Sequence, residues 1–134
     1  MSEPTDDGPV AQYLSAIESA GMAECQALAP DVLLDATVPN WRYCVRGDAA
    51  VRTELARWYA QPGTFEELDR RQLPSGELIG FTLRWEEAGV PHSVHQAHIL
   101  EVSDGRITRD QVWCGGRWAA SLMADMAEAS DASI

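Results

Sequence analysis

The chain has 134 residues, 46% of them hydrophobic, and its 21 acidic side chains outnumber 10 basic ones for a formal net charge of −11. That length suits one domain with one core. The acidic balance excludes nucleic acid, whose phosphates need a basic surface, and an anionic membrane surface. No apolar run approaches the ~20 residues of a membrane span, and the opening MSEPTDDGPV lacks the apolar core of a signal peptide. Cys25, Cys44 and Cys114 are odd in number and form no CxxC pair, so they read as reduced thiols, and a cytoplasmic location is expected.

Residues 1–8 and 129–134 are polar, small-residue tails that flank a single domain at 9–128. From Val10 to about Gly21, Val10, Tyr13, Leu14 and Ile17 make one stripe and predict a helix. A short second helix from about Met22 to Leu28 is expected to end at Pro30. DVLLDATV then reads as a strand. Pro39-Asn40 turns the chain, and WRYCVR alternates as a second strand, with Trp41, Tyr43 and Val45 on one face. Asp48 is the expected N-cap of a helix whose apolar face holds Val51, Leu55, Trp58 and Tyr59. Four strand-like segments follow, TFEELDRRQL, ELIGFTLRWEE, PHSVHQAHILEV and RITRDQVWC, separated by PSG, EAGV and SDG. A last helix is expected from about Gly116 to Glu128. Helices set apart from a run of antiparallel strands define an α+β fold.

The segments LAPDVLLDATVPNWRYCVRGDAAVRTELARWYA and HILEVSDGRITRDQVW resemble the nuclear transport factor 2-like, or SnoaL-like, superfamily. The first resembles its helix end, Asp, strand, turn, strand, Arg-Gly and helix. The second resembles its penultimate strand, Asp-Gly-Arg-Ile hairpin and last strand. The likeness spans roughly residues 9–115. It implies a cone-shaped barrel in which a curved, mostly antiparallel sheet wraps around N-terminal helices, an apolar pocket, and a homodimer. It leaves the activity open, because this scaffold hosts isomerases, cyclases, epoxide hydrolases and non-catalytic binding domains.

All three histidines fall in HSVHQAHILEV, three residues apart. On a strand His92, Val94, Gln96, His98, Leu100 and Val102 share one face and His95 takes the other. His92 and His98 then stand roughly 20 Å apart at ~3.3 Å per residue, too far for one metal ion. No metal site is expected. Gln96 and His98 are polar groups on an apolar face and need partners from the next strand. If Ser103-Asp104-Gly105 is a three-residue loop, His98 faces Asp110, Gln96 faces Val112 and Val94 faces Cys114. If Asp104-Gly105 is a two-residue type I′ turn, His98 faces Gln111. The family likeness favours the first. A His98–Asp110 pair would fix the imidazole tautomer and could move a proton to or from a bound carbonyl compound.

Set beside known active sites of the superfamily, the isomerase base position falls on Ala36, with Asp35 facing the other way. The second isomerase acid falls on His98 and the helix tyrosine near Tyr13. The polar positions of the limonene epoxide hydrolases fall on Leu34, Ala36 and Val112, all apolar here. Gln96, His98 and Asp110 resemble the polar set of the SnoaL-like polyketide cyclases. The expectation is therefore a cofactor-free isomerase or cyclase acting on a hydrophobic carbonyl compound. His98 and Asp110 are its catalytic candidates, and Tyr13, Gln96, Cys114 and Trp41 its ligand contacts. The alternative is a non-catalytic ligand-binding or protein-interaction module. No phosphate loop, GxSxG or dinucleotide fingerprint is present, and no cofactor is expected.

Overall fold

Among residues 7–130, which the computed structural model describes, the elements run α1 (Pro9–Ser19), a 3-10 turn (Met22–Glu24), β1 (Leu28–Val38), β2 (Trp41–Arg46), α2 (Asp48–Trp58), β3 (Gly63–Leu73), β4 (Gly76–Glu87), β5 (Val90–Ser103), β6 (Arg106–Ala119) and α3 (Ala120–Ala129). The tails expected at 1–8 and 129–134 lie outside the described residues except for Asp7, Gly8, Ala129 and Ser130.

The strands form one six-stranded sheet in the order β2-β1-β6-β5-β4-β3, antiparallel throughout except for the β1–β6 pair. This is the expected α+β architecture, a curved sheet wrapped around helices. The sheet is open, however, and not a closed barrel. Val10, Tyr13, Leu14 and Ile17 of α1, with Val51 and Leu55 of α2, pack on an inner face built from Leu34, Ala36, Ile79, Phe81, Leu83, Leu100, Ile107 and Val112. Large apolar side chains buried this way each contribute about 1.5–3 kcal/mol.

Three local expectations change. The second helix is a single 3-10 turn, and β1 starts at Leu28, with Pro30 inside it. Pro30 is tolerated because the β1–β6 ladder breaks between Leu28 and Leu33, where no backbone donor is required. The N-cap of α2 is Gly47, at φ +96, and Asp48 is the first helical residue. Asp48 still favours the helix start, through a 2.8 Å bond from the Ala49 N–H and an i,i+4 pair with Arg52. Finally, β6 continues to Ala119, so the last helix starts at Ala120 and buries no residue.

Two irregularities in β6 position the site. Asp104 (φ +53) and Gly105 (φ +74) form the two-residue turn that pairs Ser103 with Arg106. A regular ladder from that turn would set His98 opposite Gln111. Instead Val102 pairs with Ile107 and Glu101 with Arg109, leaving Thr108 as an extra residue. The bulge restores the inward parity of Asp110. His98 pairs with Val112, Gln96 with Cys114 and Leu100 with Asp110, which is neither register read from the sequence. His98 and Asp110 are diagonal neighbours on the same face. The second irregularity, at Gly115-Gly116, lies between the pairs Gln96–Cys114 and Val94–Arg117 and turns Arg117 inward. Gly116 has φ +100 and packs against Pro39, two reasons for a residue without a Cβ.

Candidate active site

Between β2, the C-terminal end of α2 and the inner faces of β4, β5 and β6 lies a cavity of about 850 Å³. Its walls are aromatic and aliphatic. Trp41, Tyr43 and Val45 come from β2, Trp58 and Tyr59 from the end of α2, and Leu83, Trp85 and Val94 from the strands opposite. β2 supplies them because its alternation sends Trp41, Tyr43 and Val45 to one side. Gln96 and Cys114 form the floor.

Beneath that floor runs a buried hydrogen-bond chain. Tyr13 O–H donates to Asp110 Oδ2. Asp110 Oδ1 lies 2.7 Å from His98 Nδ1, and His98 Nε2 lies 3.0 Å from Gln96 Oε1. Tyr59 O–H donates to the same Gln96 Oε1 at 2.5 Å, while Gln96 Nε2 donates to Cys114 Sγ at 3.3 Å. Tyr13, His98 and Asp110 have no exposed surface. The imidazole ring stacks on Phe81 and meets Tyr13 edge-on, which fixes its plane.

The protonation pattern follows from this geometry. An amide oxygen only accepts, so His98 Nε2 carries a hydrogen. The 2.7 Å contact between Nδ1 and Asp110 Oδ1 likewise requires one hydrogen between them. Burial and the Asp110 charge push Tyr13 well above the usual tyrosine range. The same two causes raise Tyr59, against a smaller opposing effect of its bond to Gln96. Both phenols stay neutral donors.

The mouth of the cavity is built differently. Glu54 feels burial, which raises its pKa, but bonds from Tyr43, Arg57 and Trp58 outweigh that and hold it below its usual range. Burial and the Glu54 bond push Tyr43 up to about 12. Across the mouth Arg117 lies over the Trp85 ring, 5.7 Å from its centroid, and donates to Glu87. That bond is the first cause of the lowered Glu87 pKa.

Of the residues expected at the site, Gln96, Cys114 and Trp41 line the cavity, Trp41 as an exposed lip. His98 and Asp110 are bonded to each other but lie behind the floor, and so does Tyr13, expected as a ligand contact. Cys44 is exposed and Asp35 faces away from the cavity, held by Arg42 Nε and Nη2 at 3.0 and 2.8 Å. The three histidines take separate partners. His92 is 3.6 Å from Glu87, and His95 Nδ1 is 2.7 Å from Thr82 Oγ1. Among the described residues no three His, Cys, Asp or Glu side chains come together as a metal site. No described helix is long and apolar enough to cross a membrane.

Sequence reading missed Tyr59 as a site residue and did not single out Glu54 or Arg57. Tyr59 was visible only as part of the apolar face of α2. Its signal was the hydroxyl, since a buried tyrosine O–H needs an acceptor.

No family model matches the chain, and no curated protein matches it. Solved structures do. An NTF2-like protein from Mesorhizobium loti superposes with a TM-score of 0.61 at 20% identity, over 85% of this chain and 98% of that one. A Catenulispora acidiphila protein with a ketosteroid isomerase-like fold, in complex with trimethylamine, gives 0.64 at 17% identity, over 90% and 92%. SalBIII, an epoxide hydrolase/cyclase-like enzyme with a role in pyran ring formation in the polyether salinomycin, gives 0.63 at 12% identity, over 83% and 92%. The element order, the open curved sheet and these superpositions together show that the chain has the nuclear transport factor 2-like, or SnoaL-like, fold.

Proposed function

We propose that this protein binds a hydrophobic small molecule carrying a carbonyl or enolate oxygen, and acts on it by cofactor-free acid–base chemistry of the isomerase or cyclase type. The observation that carries this reading is the Tyr13–Asp110–His98 chain, which ends with His98 Nε2 turned to the cavity floor. In this role His98 gives its Nε2 proton to the ligand carbonyl oxygen while solvent entering through the cavity mouth takes the α-hydrogen, and both protons return on reversal. Asp110 keeps the other ring nitrogen protonated, so the tautomer is fixed at each stage. Asp110, expected as a catalytic group, thus acts through His98, and Tyr13 acts through Asp110. Both are positioning residues. Tyr59 O–H is a second donor to the same oxygen. The cavity walls suit an apolar, flat skeleton.

The test uses 2-tetralone, a flat hydrophobic ketone, in D2O. Proton NMR follows exchange of its α-hydrogens. The protein is expected to speed exchange, and Asp110→Asn and His98→Gln are each expected to reduce that acceleration by about 10²–10⁴-fold. Equal exchange rates for wild type and both variants, with the ketone still bound, would favour the second reading, a binding module without chemistry. Its specific support is that neither His98 nor Asp110 lines the cavity. The exposed Trp113 on the outer face of the sheet fits a homodimer, which size-exclusion chromatography with light scattering would test.

A further inference from the structure

At the cavity floor two donors converge on one oxygen. Tyr59 O–H and His98 Nε2 lie 2.5 and 3.0 Å from Gln96 Oε1. Converging donors of this kind stabilise a negatively charged oxygen, and they do so best where water is excluded. Here the oxygen between them is the chain's own amide. Gln96 is 4% exposed, yet it borders a cavity of about 850 Å³, so its side chain has room to turn off the donors. Its other amide end donates, among the described residues, only to the Cys114 sulfur at 3.3 Å, a weak acceptor. Once Gln96 turns away, His98 Nε2, now completely covered, faces the cavity.

We propose that Gln96 is a specificity-determining residue: its amide oxygen competes with the ligand for the Tyr59 and His98 donors, so the site accepts an oxyanion and discriminates against a neutral carbonyl. The inference rests on the reading above, that a ligand oxygen binds at this floor. The discrimination has a simple physical origin. A ketone oxygen is no better an acceptor than an amide oxygen, so exchanging one for the other gains nothing and leaves the Gln96 amide to be accommodated elsewhere. An anionic oxygen makes charge-assisted bonds, which are roughly twice as strong. The surplus drives Gln96 out. For a reaction through an enolate, the same competition stabilises the enolate over the ground-state ketone, which is the differential binding that accelerates a step.

The experiment compares two probes of similar shape, 4-nitrophenolate, at a pH above the titration of 4-nitrophenol, and the neutral ketone 4-nitroacetophenone. Dissociation constants are measured by calorimetry for wild type, Gln96→Ala and Tyr59→Phe. Wild type is expected to hold the phenolate at least about tenfold more tightly than the ketone. Gln96→Ala is expected to tighten the ketone by about tenfold and the phenolate by less, so the ratio shrinks. Should Gln96→Ala fail to fold, Gln96→Ser removes the reach to the donors and keeps a polar group, and the same change in ratio is expected. If Tyr59→Phe weakens the phenolate while the Gln96 variants leave the ratio unchanged, competition by Gln96 is overturned and the oxygen site stands. If Tyr59→Phe leaves both probes unaffected, or neither probe binds any form, the oxygen site and the proposal fall together.

Discussion

At the mouth of the cavity Glu54 and Glu87 hold Arg57 and Arg117, whose side chains are 71% and 58% exposed. Just behind the floor Asp110 and His98 hold each other with no exposure at all. The residue types are alike, but the environments decide what each pair does. Water and salt screen the mouth pairs, and exposed pairs of this kind contribute about 0–1 kcal/mol. A floor group that loses its partner keeps its desolvation cost with nothing to offset it. The mouth can therefore change charge with little effect on the fold. The floor cannot, because its polar groups satisfy one another. There the arrangement that holds the protein together is also the one that the proposed function offers to a ligand.

The sharpest way to break this contrast is Asp110→Ala. It strands the Tyr13 O–H and the His98 N–H without an acceptor in the core. A loss of about 3–5 kcal/mol is expected, or roughly 10–20 °C in the midpoint of thermal unfolding by calorimetry. A loss under about 1 kcal/mol would mean that the buried chain is not a structural element. Tyr13→Phe comes next. It removes one donor, keeps the ring against His98, and leaves one carboxylate oxygen unpaired, so about 1–3 kcal/mol is expected. Because the two residues share one bond, the double variant should cost less than the sum of the single ones.

What could be read from the sequence and what could not divide along similar lines. Alternation alone places Gln96 and His98 on the inner face of β5, since they share their face with Val94, Leu100 and Val102. It could not supply the register. Asp104-Gly105 carries the signature of a two-residue turn, and the turn forms, but a regular ladder from it would point Asp110 outward. The bulge at Thr108 corrects this, and nothing in an isolated Thr marks a bulge. The cause is tertiary, because Ile107 is buried in the core and Asp110 bonds to Tyr13, 97 residues earlier. From the sequence, Gly116 reads as the start of the last helix, whereas in the fold Gly115-Gly116 is a bulge in β6. Its meaning depends on Pro39, which packs within 3.1 Å of the place a Gly116 Cβ would take. By periodicity Tyr59 belongs to the apolar face of α2, and only the fold reveals that its hydroxyl reaches Gln96 on β5.

The smallest expected effect is at the mouth. Arg117→Met keeps an apolar stem over Trp85 and removes the charge that Glu87 holds. The Glu87 pKa is lowered in the folded state, first by its bond to Arg117. A lowered carboxyl pKa stabilises the fold above the unfolded value of about 4.3, and that contribution is lost as pH falls through the folded value. At neutral pH Arg117→Met should therefore lower the unfolding midpoint by only about 2–4 °C. The gap from wild type should narrow as pH falls below about 4, and also as salt rises toward about 1 M. A drop as large as that of Asp110→Ala, insensitive to both, would show that the mouth pair is held as tightly as the floor. The distinction between a tunable mouth and a fixed floor would then fail.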